Sequence, residues 1–306
     1  MNVTSQFDVV TGAFSYTGKY VTRLLLGAGG RVRTLTNHPE RANIFGGQVE
    51  IAPLDFADRA SLVQSLRGAS VLYNSYWVRF SHGRATFAEA VANSTVLIQA
   101  AKEAGVRRIV HLSIANPSID SRLPYYSGKA QVERAIIDSG LSYANLRPTV
   151  IFGAEDILIN NIAWFARHFP VFAIPGSGQY QIQPIFAEDI AKLAVDAARK
   201  EDNLIFDAVG PEIFTFENLV RLIATGAGRK ARLIHLRPWV ALRLLRLINP
   251  IVGDVILTGE EIEGLMANLL VSKQPATGHT RFTEWLAKNA SVLGTKYTSE
   301  LARHYR

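Results

Sequence analysis

Cysteine is absent from the 306 residues, which excludes a disulfide framework and any thiolate metal centre and fits a reducing compartment. The seven histidines show no metal-ligand spacing such as His-x-x-x-His, so no metal site is expected. No run of about eighteen apolar residues occurs, and the N-terminus lacks the basic and apolar regions of a signal peptide. The expectation is a cytoplasmic protein without a membrane span. Internal repeats and low-complexity tracts are also missing. Charged residues reach only 19% against 48% hydrophobic, which permits a large core and argues against disorder. The charge that is present leans positive, +7 at pH 7 with histidine neutral, and favours anionic partners. It is spread along the chain instead of gathered in one tail, so nucleic acid is not expected.

Apolar runs alternate with helical patterns. Strands are expected at Asp8 to Thr11, Val32 to Thr36, Val49 to Pro53, Ser70 to Asn74, Arg108 to Ser113 and Ser142 to Leu146. Helices are expected at Tyr16 to Leu26, Ala60 to Leu66, Arg84 to Ala104 and Tyr125 to Ser139. Such alternation predicts an α/β fold with a doubly wound parallel sheet, because each crossover must return the chain to the same end of the sheet. Ligands then belong at the carboxyl ends of the strands. After Gly153 the rhythm changes, with helices at Ile157 to His168 and Glu188 to Arg199 and a helix-rich stretch from about Gly210 punctuated by Pro211, Pro238, Pro250 and Gly253. The division read from this is 1–153 for the main domain and 154–306 for a smaller substrate-side lobe, interleaved with late strands such as Leu204 to Ala208.

The first strand runs into Gly12-Ala13-Phe14-Ser15-Tyr16-Thr17-Gly18 and a helix. Glycines there let the backbone turn sharply and bring a helix N-terminus close to a pyrophosphate. The middle glycine of the Gly-x-x-Gly-x-x-Gly spacing is replaced by Ser15. A second constellation stands at the fifth strand, where Ser113 follows Arg108 to Leu112 and is followed by Tyr125-Tyr126-Ser127-Gly128-Lys129. On a helix Tyr125 and Lys129 share a face. An ammonium beside a phenol favours the phenolate, giving a usable acid/base near neutrality, while a strand-end serine hydroxyl can bond a substrate oxygen.

Together with Leu72 to Phe80, Val110 to Ser113, Tyr125 to Glu133, Arg147 to Gly153 and Pro184 to Ala191, these stretches resemble the short-chain dehydrogenase/reductase superfamily in its extended and atypical branches. The likeness is to NAD-dependent epimerase/dehydratase-like proteins, including the Rossmann-fold accessory subunit of respiratory complex I, and to NmrA-like and isoflavone-reductase-like proteins. The resemblance implies a Rossmann fold, a nicotinamide dinucleotide, and a pyrophosphate loop shaped by Gly12, Ser15 and Gly18 with contacts from Phe14, Tyr16 and Thr17. It further implies an adenine contact at Asp55 and Phe56, a nicotinamide-ribose lining at Ser75, Tyr76 and Trp77, a structural asparagine at Asn93, a carboxamide contact from Pro148 to Val150, and catalysis by Ser113, Tyr125 and Lys129, with Lys129 also holding the ribose.

An acidic residue at the end of the second strand would select NAD by holding the ribose 2′-hydroxyl. None stands at Thr36, Asn37 or His38, and Arg33 and Arg41 lie nearby, so NADP is expected over NAD. Arg79 and His82 either meet an anionic substrate or close a surface loop. Asp189 is expected to cap a helix. The segment from Gly228 to Ile248 is basic and apolar together; a helix of this kind more often packs its leucines into its own lobe, with a membrane surface or protein partner as the alternative. The expected function is an NAD(P)-dependent oxidoreductase or epimerase acting on a small molecule, with a non-catalytic dinucleotide-binding redox sensor or assembly protein as the rival.

Overall fold

The protein is described from a computed structural model, which covers residues 6–41 and 43–304. The chain opens with β1 (Phe7–Thr11), α1 (Tyr16–Gly27), β2 (Val32–Thr36), β3 (Val49–Pro53), α2 (Arg59–Leu66), β4 (Ala69–Asn74) and α3 (Phe87–Glu103). It continues through β5 (Arg108–Leu112), α4 (Pro124–Ser139) and β6 (Ser142–Pro148). Next come β7 (Ile151–Phe152), α5 (Ile157–His168), β8 (Val171–Pro175), β9 (Gln181–Ile182) and β10 (Ile185–Phe186). Then follow α6 (Ala187–Ala198), β11 (Leu204–Ala208), β12 (Phe214–Thr215), α7 (Phe216–Gly226), β13 (Arg232–Leu236) and α8 (Pro238–Val252), and finally α9 (Gly259–Met266), α10 (Phe282–Asn289) and α11 (Glu300–His304).

Two compact units divide this chain: Met1–Pro148 with Ala187–Ala208, and Thr149–Phe186 with Val209–Arg306. The first leaves β6 at Pro148, before the boundary at 153 expected from sequence. It also reclaims α6, which packs on α1 and had been placed in the second lobe. Sequence reading missed this because an amphipathic helix shows that it buries one face, not which sheet covers it.

The first unit holds a seven-stranded sheet in the order β11-β6-β5-β4-β1-β2-β3, with every pairing parallel. The doubly wound Rossmann-like α/β fold is thus present. Strand order reverses between β1 and β4, and in open sheets of this kind ligands bind at the carboxyl ends of the strands at such a reversal. On one face Val9, Leu35, Leu72 and Ile109 pack with Leu62, Leu66, Leu97, Val132 and Ile136. Alternation along each strand places residues two apart on the same face, so His111 and Ser113 share the face of Ile109. Helix α3 starts later than expected because His82 and Ala85 bond each other's backbones and Thr86 then caps the helix by accepting from the Glu89 amide.

The second unit is built around Phe152, whose ring meets those of Phe282 and Trp285 edge-on at 5.1 Å. Ile159, Ile162, Leu219, Val220, Ile223 and Leu286 complete this core. Asp156 caps α5 by accepting from the Ile159 amide at 2.7 Å. Burial pushes its carboxyl up to about 7, against the pull of the backbone amides and Arg303.

The folded state therefore holds the Asp156 proton across a range in which the unfolded chain has released it, and this contribution is lost as pH rises through about 7. Asp156→Asn keeps a capping oxygen and removes the titration. The stability of the variant relative to the parent is expected to rise between pH 4 and 8 in urea unfolding; a pH-independent difference contradicts the assignment.

Candidate active site

The turn after β1 forms from a few short bonds. Gly12 takes φ +66°, a conformation open to glycine and costly for other residues. Its amide donates to the Leu35 carbonyl at 3.0 Å, and its carbonyl accepts from the Ser15 amide at 2.8 Å. Thr34 Oγ1 accepts from the Ala13 amide at 2.9 Å and donates to the Val10 carbonyl at 3.1 Å. Gly18 is fixed by proximity: a Cβ there would lie 2.1 Å from the Gly12 carbonyl oxygen. Ser15 has ordinary extended angles, φ −80° and ψ 171°, so the missing middle glycine imposes no backbone strain. Its Oγ lies 3.0 Å from a Cβ built on Gly12 and 3.1 Å from one built on Gly18, folded into the turn. No side-chain hydrogen bond caps α1 and no acid stands in its first turn, which suits an anion at this helix end. Phe14, Tyr16 and Thr17 are half-buried around it; Phe14 leans on Phe45, with ring centres 6.3 Å apart.

At the carboxyl end of β4 the chain is tied back to β1. The Ser75 amide donates to Thr11 Oγ1 at 2.8 Å, and the Ser75 hydroxyl donates to the Thr11 carbonyl at 2.7 Å. This pins the two loops that diverge at the strand-order reversal. Tyr76 receives a hydrogen bond from Asn93 Nδ2 at 3.0 Å and meets Phe56 with ring centres 4.7 Å apart. Burial raises the Tyr76 phenol above its usual range. Asp55 accepts from the Ala57 amide at 2.9 Å, closing the turn before α2.

Trp77 is the hub of the remaining site. Its indole stacks on Phe87 at 6.2 Å, meets Tyr125 edge-on at 5.9 Å and lies under the Lys129 Nζ at 4.6 Å. Gly128 makes room for it, since a Cβ there would stand 3.0 Å from the indole edge. Tyr125 also packs edge-on against Phe87 at 5.8 Å and Tyr126 at 5.7 Å. Lys129 donates to the Leu112 carbonyl at 2.7 Å, which ties α4 to the end of β5 one residue before Ser113. Ser113 is 4% exposed, and its Oγ has no hydrogen-bond partner among the described residues. Helix α4, the end of β5 and the loop after β4 thus meet around Lys129 and Trp77.

Beneath them runs a buried polar row that sequence reading did not assemble. Asn74, His111 and Asn145 stand in register on three adjacent strands, all essentially unexposed. Asn74 Nδ2 lies 3.2 Å from His111 Nδ1; if the amide donates, the histidine carries its proton on Nε2. Nε2 and both amide atoms of Asn145 have no partner among the described residues. Burial first, and the neighbouring Lys129 second, hold His111 well below the ordinary imidazole range. Burial likewise brings Lys129 down to about 7, against the opposing pull of Glu133. Glu133, one turn further along α4, is gripped by Arg147 at 2.6 and 3.0 Å, and this pairing lifts the guanidinium above its usual value.

The remaining expected positions are distributed as follows. Asn37 is exposed, while His38 donates its amide to Thr36 Oγ1 at 3.0 Å and faces Glu40 at 3.3 Å. Arg33 is engaged with Glu50 at 2.8 Å, bonds the Ser65 carbonyl and covers the Phe7 ring. Arg33 is thus committed mid-sheet. Pro148 and Val150 belong to different units; the Pro148 carbonyl accepts from the Ala115 amide at 2.7 Å, and that of Val150 from Ile185 at 2.8 Å. Arg79 lies over Phe80 at 5.6 Å. His82 is held by its backbone pair with Ala85. Asp189 sits within the first turn of α6 and is buried, where an N-cap had been expected. Among the described residues no cluster suited to a metal ion is found.

A model of the NmrA-like family matches residues 6–277. Mitochondrial NADH dehydrogenase (ubiquinone) 1 alpha subcomplex subunit 9 of Arabidopsis thaliana is 24% identical over 227 residues, 70% of this chain and 56% of that relative. The chain thus matches little more than half the length of this larger protein. A Streptomyces griseus enzyme, (4-alkanoyl-5-oxo-2,5-dihydrofuran-3-yl)methyl phosphate reductase, is 26% identical over 293 residues, covering 93% of this chain and 98% of its own. Among solved structures, an NADPH-dependent quinone oxidoreductase of Escherichia coli in complex with NADPH superposes with a TM-score of 0.74 at 21% identity, covering 93% of this chain and 99% of its own. At that identity the likeness is one of fold.

The buried lysine sets a pH signature. Its folded value, about 7, lies below the ordinary 10.5, so between these the unfolded chain binds more protons and stability rises with pH. Lys129→Met is expected to flatten that rise in urea titrations from pH 6 to 10. An unchanged slope contradicts the burial of a titrating amine.

Proposed function

The chain belongs to the NmrA-like family, and from that premise we propose that it is an NAD(P)H-dependent reductase whose Tyr125, Lys129 and Ser113 serve a small conjugated carbonyl substrate. The observation that carries the reading is the buried Ser113 hydroxyl without a partner, beside the Lys129 contact to Leu112. Burial obliges such a hydroxyl to find a partner, and a substrate oxygen supplies one. The turn built by Gly12 and Gly18 fits a pyrophosphate, because the close approach of α1 to β1 brings its N-terminal amides over the strand ends. A nicotinamide dinucleotide supplies the hydride.

In this reading Ser113 Oγ donates to the substrate oxygen and orients it. Tyr125 delivers the proton, from a phenol held edge-on by Trp77 and Phe87. Lys129, with its charge reduced by burial, positions the ribose and exchanges a proton close to neutral pH. NADP is preferred over NAD because no acid occupies Thr36, Asn37 or His38. A conjugated carbonyl is the substrate class because the Streptomyces griseus relative, similar along nearly its whole length, is named as the reductase of an acylated furanone.

One observation favours a second reading, a dinucleotide-holding redox sensor or assembly protein. The Lys129 amine bonds the Leu112 carbonyl and faces the Trp77 ring, an arrangement that braces α4 against β5 and serves packing as well as catalysis. The Arabidopsis thaliana relative is named as a subunit of a larger dehydrogenase.

NADPH and NADH titrations, followed by nicotinamide consumption with a panel of quinones and conjugated enones, separate the two. Tighter binding of NADPH and turnover that falls about 100-fold or more in Tyr125→Phe and Ser113→Ala, with dinucleotide affinity nearly intact, is the expected result. Binding without turnover on any acceptor favours the sensor, and absence of dinucleotide binding overturns both.

A further inference from the structure

Helix α8 of the second unit leaves one side uncovered: of Pro238–Val252 only Ala241 is buried, and Leu242, Leu245 and Ile248 are half-buried. Leu247 is 72% exposed and Ile251 82%, so the expectation that this helix packs its leucines inward fails for Leu244 and Leu247. At 100° per residue, the exposed Leu244, Leu247 and Ile251 fall on one stripe along the axis. The exposed Trp239, Arg243 and Arg246 form a second stripe beside it. The Arg243 guanidinium lies over the Trp239 ring at 5.1 Å. Among the described residues, Arg237, Arg243 and Arg246 make no ion pair. From Asn218 to Gly253 the chain carries seven basic residues and no acidic one.

We infer that this face of α8 is a docking surface for an anionic lipid bilayer, with the helix lying flat in the interface. Arg221 is paired with Glu217, and the remaining cations, Arg237, Arg243 and Arg246 of α8 and its entry among them, are complementary to acidic headgroups. Beside the apolar stripe, arginine and tryptophan stand where long cationic and amphipathic side chains reach the headgroup level while aliphatic ones enter the acyl boundary. Fifteen residues at 1.5 Å each reach about 22 Å, short of a hydrocarbon core of about 30 Å, and no helix among the described residues is long and apolar enough to cross a membrane. A second copy fits this face poorly, because a two-fold contact would set the arginine stripe against itself with no acid on the segment to receive it.

Flotation of the full chain with phosphatidylcholine vesicles, and with vesicles containing phosphatidylglycerol, tests the assignment. Binding to the anionic vesicles is expected, falling with added salt and at least several-fold weaker on neutral ones. Leu247→Glu with Ile251→Glu should abolish it, and Arg243→Gln with Arg246→Gln should weaken it about tenfold or more. Val292→Glu, at a 63% exposed apolar position outside α8, should leave it unchanged. Far-UV circular dichroism and the thermal unfolding midpoint serve as the folding check for every variant. Failure to bind anionic vesicles, binding indifferent to the Leu247/Ile251 pair, or loss on Val292→Glu overturns the proposal. So does a dimer in gel filtration that dissociates on Leu247→Glu, which assigns the face to a second copy.

Discussion

Helix α1 lies so close to the end of β1 that a single added carbon at Gly18 would meet the Gly12 carbonyl at 2.1 Å. The first unit depends on this approach. It closes the turn from Gly12 to Ser15, sets the α1 N-terminus above the sheet, and gives α6 a partner to pack on. Thr34 braces the turn from the neighbouring strand with two hydrogen bonds, and Ser75 ties the β4 loop to Thr11 from the other side. A serine at the middle position is compatible because the backbone there needs no left-handed angle. The role of a glycine at that place is room, and Ser15 occupies the room from within the turn.

The site draws its character from burial combined with polar chemistry. Three polar side chains in register cross the sheet, and a lysine with a depressed pKa stands over them. Lys129, Glu133 and Arg147 form a sequence of opposite charges from the helix to β6, in which only the Glu133–Arg147 step is a direct contact. That fork gives the buried Glu133 carboxylate a charged partner, and Glu133 in turn limits how far burial lowers Lys129. Trp77 covers the arrangement, with its position secured by a glycine on the opposing helix.

Much of the first unit was legible in sequence. Strands β2 and β3 begin and end at the expected residues, because each is a short β-prone run bounded by turns, although β3 at the sheet edge is exposed at three of its five positions. Helix α5 matches its expected span for a similar reason, an apolar face of helical period closed by Asp156 and Phe169. The glycine turn and the Tyr125–Lys129 spacing were visible as motifs. The row of Asn74, His111 and Asn145 was not, because three residues dozens of positions apart become neighbours only through strand register. Nor was the commitment of Arg33 to Glu50, since sequence proximity to a strand end does not say which way a long side chain turns.

The sequence by itself determined the alternation of strand and helix, the parallel sheet, the sharp turn at Gly12 and the family of the chain, because these rest on local periodicity and on residues with restricted backbone choices. Only the tertiary structure decided that the chain changes units at Pro148 and returns at Ala187, that Lys129 is buried against Trp77, and that Leu244 and Leu247 of α8 face outward. Burial and desolvation are properties of what surrounds a residue. A sequence states the residue, and the packed chain supplies the surroundings.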